Sequence, residues 1–482
     1  MEEKYVKLLK QADEWLEAHK TEFITELQEM VRIPSVSRAD LAKPGAPFGP
    51  DCRKMLDYAL ARGKACGFDT ADHDGYAGSI YMGDPENALG IIAHMDVVPV
   101  GDGWVYPPFE GTYVPEQDAM IGRGVGDNKG PGVAGLFAMR MLRDFGWPLK
   151  HGIRLICGCS EETGMQDMKA LLDNGMVFPK LSLVPDGSFP VNFGQKGSIG
   201  GALAIPCGGT VVSFEAGSVR NVVPDQAVCV LALDEAALRQ ALDGLDPQIT
   251  EHITVSASEN GTIVSAVGRA AHAAGPGAGI SAIHLLTRAL SLTGILEGTA
   301  GTAMDRICEL TKDPYGESEG AACRDDISGE LTLVYGVAHL QDGMLTLSID
   351  SRCPILVDVN ETADKLQEYW TKQGFVINRL STGKPFYIPK DDPRVTALMD
   401  LYREVTGRDD QPYTMGGGTY SKVVPNAITF GSGLPGGRSL GDFLPEGHGG
   451  AHGKDEVVCM DKLHTCAKLY AAALAMLDEI MD

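Results

Sequence analysis

The stretch that most constrains this chain is an apolar run at residues 89–93 that leads directly into His94 and Asp96. A run of about four to eight apolar residues bounded by turn-forming residues, here Asn87 and Pro99, favours a buried strand of a parallel sheet over a helix. Ligands of open α/β sheets bind beyond the carboxyl ends of the strands. The histidine and the aspartate are therefore predicted to bind a metal and to orient the ligand, the alternative being a hydrogen-bonded turn.

Two further apolar runs end in acidic residues in the same way. Residues 151–159 lead into Glu161 and Glu162, and residues 181–184 lead into Asp186. Adjacent side chains after a strand point in different directions, so one glutamate can bind a metal while the other accepts a proton. A solvated pair of glutamates is the alternative for this stretch.

A glycine-rich loop at residues 122–130 presents Asp127 just before a predicted helix. A phosphate-binding loop is excluded, because Asp127 stands where a third glycine is required and Lys129 precedes Gly130 instead of following it. The negative charge of Asp127 would also repel a phosphate. The glycines therefore predict a tight loop that presents Asp127, either as a ligand or as a structural turn residue.

Helical and apolar-strand patterns alternate through the first part of the chain. Apolar residues recur at helical spacing at residues 5–31 and 55–66, and strands are predicted at residues 79–82 and 89–94. This alternation predicts an α/β fold with a doubly wound, mostly parallel sheet. From about residue 197 the pattern alternates between polar and apolar, which is typical of antiparallel strands. We predict one domain at residues 1–197 and 385–482, interrupted by an inserted α+β domain at residues 198–384.

The inserted region contains three polar positions of interest. Asn221 stands beside the start of a strand, and His272 is surrounded by small residues that give too little bulk to bury it. Arg352 lies on the opposite face of its strand from Leu347 and Ile349, because side chains alternate along a strand. The pattern alone favours a surface ion pair for Arg352.

The composition is that of a globular protein whose apolar residues, 44% of 482, are enough to bury two or more domain cores. The formal net charge of -24 opposes binding to nucleic acid or to an anionic membrane. The 11 cysteines lack a secreted spacing pattern. Neither a signal peptide nor an apolar run of the roughly 18 residues needed for a membrane span is found. We therefore expect a cytoplasmic protein with reduced thiols.

Five motifs occur in order along the chain. They are His94-x-Asp96, Gly-Arg-Gly-x-x-Asp127-x-Lys-Gly-Pro, Glu161-Glu162-Thr-Gly, Pro-Asp186-Gly and His452-x-x-x-Glu456. Together they resemble the co-catalytic zinc peptidase family of aminoacylase, acetylornithine deacetylase and the bacterial dipeptidases. The long insert, Asn221-Val-Val-Pro, Ala-His272-Ala and Gly-Gly-Gly-Thr-Tyr420 are most similar to the PepV-type dipeptidases, and the similarity spans nearly the whole chain.

The resemblance implies a centre of two zinc ions, with manganese or cobalt as alternatives. Asp127 would bridge the ions, and the remaining ligands would be His94 and Asp186 for one ion and Glu162 and His452 for the other. The charge of two such ions is balanced by three carboxylates and a bridging hydroxide, so the centre can be buried. His448 is an alternative to His452, which is preferred because Glu456 follows it at the family spacing.

The resemblance also implies catalytic roles for three residues. Glu161 would be the general base that takes a proton from the metal-bridging nucleophile and returns it to the leaving amine. Asp96 would orient the imidazole of His94. His272 would help to hold the oxyanion that forms at the scissile carbonyl.

Substrate contacts are implied for residues of the insert and of a glycine-rich loop. Asn221 would hold the oxyanion together with His272, and Arg352 would pair with the substrate carboxylate through its planar fork of donors. The backbone of Gly417 and Gly418 would approach the substrate closely. The resemblance thus implies a catalytic domain with an inserted lid that hydrolyses unblocked dipeptides, and a monomer that binds small peptides.

Two alternatives to a dipeptidase remain. An N-acyl amino acid deacylase of the same family would use the same chemistry, but family deacylases usually have a shorter lid and dimerise. A non-catalytic protein that binds metal or peptide could share the fold. The presence of Glu161 opposes that alternative, because binding requires no general base.

Overall fold

The computed structural model describes residues 2–435 and 443–481. The chain forms two compact units, which we call unit 1 (Met1–Phe193, Ile388–Tyr413 and Gly418–Asp482) and unit 2 (Gly194–Tyr387 and Thr414–Gly417). The predicted insert at residues 198–384 falls inside the long segment of unit 2. The catalytic and lid roles given to the two parts stay predictions.

The helices are α1 (Glu3–Ala18), α2 (Lys20–Val31), α3 (Pro50–Ala65), α4 (Lys129–Asp144), α5 (Gln166–Asp173), α6 (Glu235–Asp243), α7 (Pro247–Thr250), α8 (Ala282–Thr293), α9 (Gly298–Thr311), α10 (Val359–Lys372), α11 (Pro393–Thr406) and α12 (Met460–Ile480). The helical pattern at residues 5–31 forms two helices, because His19 between them has a φ of -109° and leaves the helical region.

The first strands are β1 (Asp69–His73), β2 (Ala77–Met82), β3 (Ala88–His94), β4 (Thr112–Val114), β5 (Ala119–Ile121), β6 (Gly152–Gly158), β7 (Leu181–Val184) and β8 (Val191–Gln195). Next come β9 (Gly197–Pro206), β10 (Val211–Ala216), β11 (Val222–Val223), β12 (Gln226–Leu231), β13 (Ile253–Ser258), β14 (Gly261–Val267), β15 (Ala271–His272), β16 (Arg324–Asp325) and β17 (Gly329–Glu330). The last are β18 (Thr332–Val334), β19 (Ala338–Gln341), β20 (Met344–Cys353), β21 (Val376–Gly383), β22 (Phe386–Tyr387), β23 (Tyr413–Met415), β24 (Ala427–Phe430) and β25 (Val457–Cys459).

Unit 1 is built on a sheet with the strand order β1-β2-β6-β3-β7-β24-β8. The central strands β6, β3, β7 and β24 are parallel, and the strands outside them pair antiparallel. The α/β class predicted from the sequence is confirmed, with a parallel centre and antiparallel edges.

Helices cover both faces of this sheet. Consecutive residues of β3 point to opposite faces, so Ile91 and Ile92 show which helix packs on each one. On one face α4 comes so close that a Cβ at Gly135 would lie 3.2 Å from Cγ2 of Ile91. On the other face Ile92 belongs to a buried cluster with Met168 of α5. Strand β3 is buried along its whole length, as expected for a central parallel strand.

The parallel register aligns the carboxyl ends of β3 and β6. His94 lies opposite Gly158, and the N–H of Met95 donates a hydrogen bond to the carbonyl of Gly158 at 2.8 Å. The polar residues that follow the two strands therefore lie side by side, although they are far apart in the sequence.

Unit 2 contains an antiparallel sheet with the order β13-β14-β12-β10-β19-β20-β9-β21. Its core combines the sheet with apolar residues of α8 and α10, among them Leu286, Leu290, Leu366 and Trp370, all fully buried. This α+β architecture agrees with the alternating pattern of the sequence. Within the described parts of the chain, none of the helices combines the length and apolar character that a membrane span requires.

A buried hydrogen-bonded chain in unit 2 contains a carboxyl group. Trp370 Nε1 donates to the hydroxyl of Tyr335 at 3.0 Å, and that hydroxyl donates to Glu319 Oε1 at 2.8 Å. Burial raises the pKa of Glu319 to about 7. Because this pKa is higher in the folded than in the unfolded chain, ionisation of Glu319 reduces stability as the pH rises from the unfolded pKa to about 7.

We expect Glu319→Gln to increase the free energy of unfolding at pH 8 by about 2–3 kcal/mol, because the neutral amide removes the burial of a charge. At pH 4.5 the carboxyl is protonated in the folded chain, and the substitution should have little effect. Urea denaturation at both pH values measures the difference, with the exposed neighbour Glu317→Gln as the control. A gain in stability that is equal at the two pH values would contradict this prediction.

Candidate metal centre

Two groups of potential metal ligands lie in unit 1 and share Asp127. The first group is His94, Asp127 and Asp186, and the second group is Asp127, Glu162 and His452. Within each group the ligand atoms lie within 4.8 Å of one another. Asp127 Oδ1 is 2.9 Å from His94 Nε2, and Asp127 Oδ2 is 2.9 Å from His452 Nε2. One oxygen of the shared carboxylate thus faces each histidine.

The sheet positions the first group. His94 ends β3, and Asp186 follows β7 by two residues. Asp127 precedes α4, and its neighbour Asn128 donates from Nδ2 to the carbonyl of Pro185 at 2.6 Å. This hydrogen bond joins the loop of Asp127 to the loop of Asp186.

The ring of His94 is oriented by a main-chain group. His94 Nδ1 donates to the carbonyl oxygen of Asp96 at 2.9 Å, which places the proton on Nδ1 and turns Nε2 toward Asp127. The carboxylate of Asp96 is 3.5 Å from Nδ1. The residue therefore fixes the imidazole chiefly through its backbone.

The carboxylate of Asp96 holds the two glutamates that follow β6. Asp96 Oδ1 accepts from the N–H of Glu161 and Oδ2 from the N–H of Glu162, both at 3.1 Å. Asp96 is fully buried, and the two hydrogen bonds satisfy both of its oxygens. The backbone of both glutamates is thus fixed by one carboxylate.

Glu161 lies among other acidic groups. Burial raises its pKa well above the usual range of a glutamate, and the carboxylates of Asp186 and Glu162 act in the same direction. A carboxyl group whose pKa is raised in this way is suited to accept and return a proton near neutral pH.

The pKa values of the two histidines are also raised, which in their case favours the charged form of the side chain. Hydrogen bonds to Asp127 and Glu162 raise the pKa of His452 to about 10. Burial opposes protonation of His94, but the nearby carboxylates of Asp127 and Asp96 outweigh that effect and raise its pKa. A divalent cation competes with protons for the same nitrogen and oxygen atoms, so metal binding to this set would release protons. Imidazoles and carboxylates without a thiolate match the ligands of catalytic zinc, and the residues present fit such a metal.

His448 lies in neither ligand group. Its Nδ1 donates to Asp455, whose carboxylate also accepts from the N–H groups of Val105 and Tyr106 at 2.8–3.1 Å. His448 therefore stabilises the loop before β25, and the geometry favours His452 as the ligand.

Buried residues support the site through contacts that the sequence did not predict. Asp167 accepts from the N–H groups of Cys159 and Ser160 at 2.7 and 2.9 Å and from the hydroxyl of Tyr420. Glu456 accepts from the N–H groups of the Asp127 loop. The motif Gly-Arg-Gly could have indicated the role of Glu456, because a buried arginine, here Arg123, requires an acidic partner.

Asn221 and His272 lie together in unit 2, where Asn221 directly precedes β11 and His272 lies on β15, the strand paired with it. Asn221 Nδ2 is 3.4 Å from His272 Nε2. The N–H of Ala274 donates to His272 Nδ1 at 3.1 Å, so the ring proton of the neutral imidazole lies on Nε2. His272 is exposed, as the small residues around it predicted.

Arg352, also in unit 2, is held by Asp350. Arg352 Nε and Nη2 donate to the two carboxylate oxygens of Asp350 at 2.7 and 3.0 Å, and Nη1 donates to the carbonyl of Gly416 at 3.1 Å. These contacts engage three of the five donors of a guanidinium group. The ion pair favoured by the sequence pattern is therefore present, although it is largely buried and does not lie at the surface. The terminal nitrogens retain one donor each for a further anion.

Gly418 belongs to unit 1, in the loop after β23. A Cβ at this position would lie 2.4 Å from Cδ of Lys422, so the glycine makes room for that side chain. Its predicted approach to a substrate stays a prediction, as do the individual roles of the other site residues.

Known proteins match this chain over nearly its whole length. A Bacillus subtilis (strain 168) protein named "Putative dipeptidase YtjP" is 31% identical over 466 residues, which cover 94% of this chain and 97% of the relative. A Staphylococcus saprophyticus protein named "Putative dipeptidase SSP1012" is 30% identical over 467 residues, which cover 94% of this chain and 96% of the relative.

Solved structures support the fold. A yeast structure described as the di-peptidase Dug1p from Saccharomyces cerevisiae matches with a TM-score of 0.59 and 15% identity, covering 99% of both chains. Human carnosine dipeptidase 1 matches with a TM-score of 0.55 and 16% identity over 98% of this chain and 100% of that one. The family model of the peptidase family M20/M25/M40 matches residues 90–476. The resemblance inferred from the five motifs is therefore confirmed: the chain belongs to the peptidase family M20/M25/M40 and is a hydrolase of the metallopeptidase class.

Proposed function

We propose that this peptidase hydrolyses the peptide bond of unblocked dipeptides with two divalent metal ions, zinc in the first instance. The observation that carries the proposal is the sharing of Asp127 between the first and second ligand groups, next to the carboxyl of Glu161. His94 and Asp186 would complete the ligands of one ion, and Glu162 and His452 those of the other. Two relatives whose length is matched by this chain to 97% and 96% are named putative dipeptidases, and these names support dipeptides as substrates.

When bound, two such ions supply Lewis acidity and lower the pKa of a water molecule to near 7. Glu161 accepts the proton that this water loses and passes it to the nitrogen of the leaving amine. Asp96 holds the backbone of Glu161 during both transfers through its 3.1 Å hydrogen bond. Because the backbone of Glu161 stays fixed, the side chain needs no rearrangement of the main chain between accepting the proton and donating it.

Unit 2 contributes the substrate-binding residues in this proposal. His272 presents a donor at Nε2 to the developing oxyanion, because Nδ1 is already occupied by the N–H of Ala274. Asn221, 3.4 Å from that nitrogen, supplies a second polar group. The remaining donors of Arg352 bind the terminal carboxylate of the substrate, which requires a free C-terminus near the scissile bond. Dipeptides meet this requirement.

The first experiment tests substrate class and metal dependence. Unblocked dipeptides, tripeptides, dipeptide amides and N-acetyl amino acids are offered to the purified protein with chelator, Zn²⁺ or Mn²⁺. We expect cleavage of dipeptides only with metal, and slower cleavage of the amides because they lack the carboxylate for Arg352. Cleavage confined to N-acetyl amino acids would make the chain a deacylase, and no turnover with metal bound would leave a binding protein.

The adjacent glutamates give a matched pair of variants. Glu161→Gln should lower kcat for a dipeptide by about 10²- to 10⁴-fold, as expected for loss of a general base, while the bound metal is unchanged. Glu162→Gln should instead weaken metal binding, because it removes an anionic ligand of the second group. Metal content by mass spectrometry and dipeptide hydrolysis distinguish the two effects. Full turnover by Glu161→Gln would refute the mechanism.

The two histidines of the loop before β25 give a second pair. We expect His452→Ala to reduce bound Zn²⁺ from two equivalents to one, because His452 is the only imidazole of the second group. His448→Ala should retain two equivalents, since its Nδ1 is engaged with Asp455. Dialysis against buffered Zn²⁺ followed by metal analysis measures the stoichiometry. The reverse result would move the ligand to His448.

A further inference from the structure

A buried ion pair connects the two loops that carry Asp127 and His452. Arg123 Nη1 donates to Glu456 Oε2 at 2.8 Å, and the two side chains are only 1% and 2% exposed. Two ions that leave water to this extent require good geometry and further hydrogen bonds to compensate for lost hydration. The further hydrogen bonds of Glu456 and Arg123 show which loop each of these residues holds in place.

Glu456 is bonded to the backbone of the Asp127 loop. Its Oε1 accepts from the N–H groups of Gly126 and Asp127 at 2.9 and 3.1 Å, and its Oε2 accepts from the N–H of Gly124 at 3.1 Å. The N–H of Gly122 donates to the main-chain carbonyl of Glu456 at 2.9 Å. One glutamate therefore fixes the loop that presents the shared ligand.

Arg123 is bonded to the loop of His452. Its Nη2 donates to the main-chain carbonyl of His452 at 3.1 Å. His452 has a φ of 61°, a left-handed conformation that non-glycine residues adopt at an energetic cost. Its side chain is 53% exposed, so packing contributes little to holding this conformation. The hydrogen bond from the buried guanidinium is a specific restraint on the backbone of this residue.

We propose that Arg123 and Glu456 are positioning residues that fix the second ligand group, with Arg123 acting selectively on His452. This inference rests on the two-metal centre of the proposed function. Arg123 reaches His452 but not His94 or Asp186, which are placed by β3 and by the loop after β7. Loss of Arg123 is therefore expected to lower the affinity for the ion bound through His452 and to leave the affinity for the ion bound through His94 unchanged.

The test measures the affinities of the two ions separately. Metal-free protein is titrated with Zn²⁺ in competition with a chelator, and His452→Ala provides the reference for a chain with the first group alone. In Arg123→Met, Glu456 keeps its three N–H donors. We expect the first equivalent to bind within about threefold of the wild type and the second to bind about 10- to 100-fold more weakly, as for other residues that orient metal ligands.

A matched control separates this effect from general destabilisation. Arg62 Nε donates to the buried Glu26 at 2.6 Å in the same unit, away from the ligand groups, so Arg62→Met also removes the partner of a buried carboxylate. It should leave both Zn²⁺ affinities unchanged. A general loss of stability would instead lower the affinity for both Zn²⁺ ions in both variants.

Arg123→Lys keeps the test decisive if Arg123→Met does not fold. A lysine retains a positive charge for Glu456 but lacks the fork that reaches two acceptors, so the second affinity should still fall selectively. Unchanged binding of the second ion, or equal weakening of both, would overturn the inference in whichever variant is folded. A wild-type chain that binds a single Zn²⁺ would overturn the dinuclear proposal itself, whereas two ions bound unchanged in the variant overturn this inference alone.

Discussion

The arrangement of unit 1 depends on the carboxylate of Asp127, whose two oxygens face different histidines. Sharing one carboxylate brings Asp186 and Glu162 into a common acidic centre, where burial and mutual repulsion raise the pKa of Asp186 to about 7. Such a concentration of negative charge is unfavourable unless cations or hydrogen-bond donors compensate it. Protonated histidines provide that compensation in the absence of a metal, and divalent ions would provide more of it.

The acidic residues outside the ligand groups are compensated differently. Asp96, Asp167 and Glu456 each accept at least two backbone N–H groups from a loop next to the centre. A carboxylate that accepts several N–H bonds satisfies otherwise unpaired donors of a tight loop. Loops that present catalytic side chains lack the regular hydrogen bonds of helices and strands. Buried carboxylates take the place of those bonds here, and they account for much of the buried negative charge of unit 1.

The sequence predicted candidate site residues where a local pattern, such as a strand end, indicates their position. It predicted few of the long-range hydrogen bonds that restrain those residues. His94, Glu161 and Asp186 could be found because an apolar strand precedes each one and parallel strands end at the same edge of a sheet. Glu456 bonds to Gly126 across 330 positions of the chain, and no local pattern contains such a contact. Arg352 differs, because its bidentate partner Asp350 is only two residues away on the same face of one strand, within the range of a local pattern.

The two ligand groups therefore rest on different physical supports. The first group takes His94 from the end of a fully buried strand, so its geometry follows from the packing and hydrogen bonds of the sheet. The second group takes Glu162 and His452 from loops, and the backbone of each is restrained by a buried charged residue, Asp96 or Arg123. A loop restrained by one or two hydrogen bonds can be loosened by a single substitution, whereas a strand cannot be displaced without disrupting the core. Variation in metal affinity among chains with this fold is thus expected to arise in the second group first.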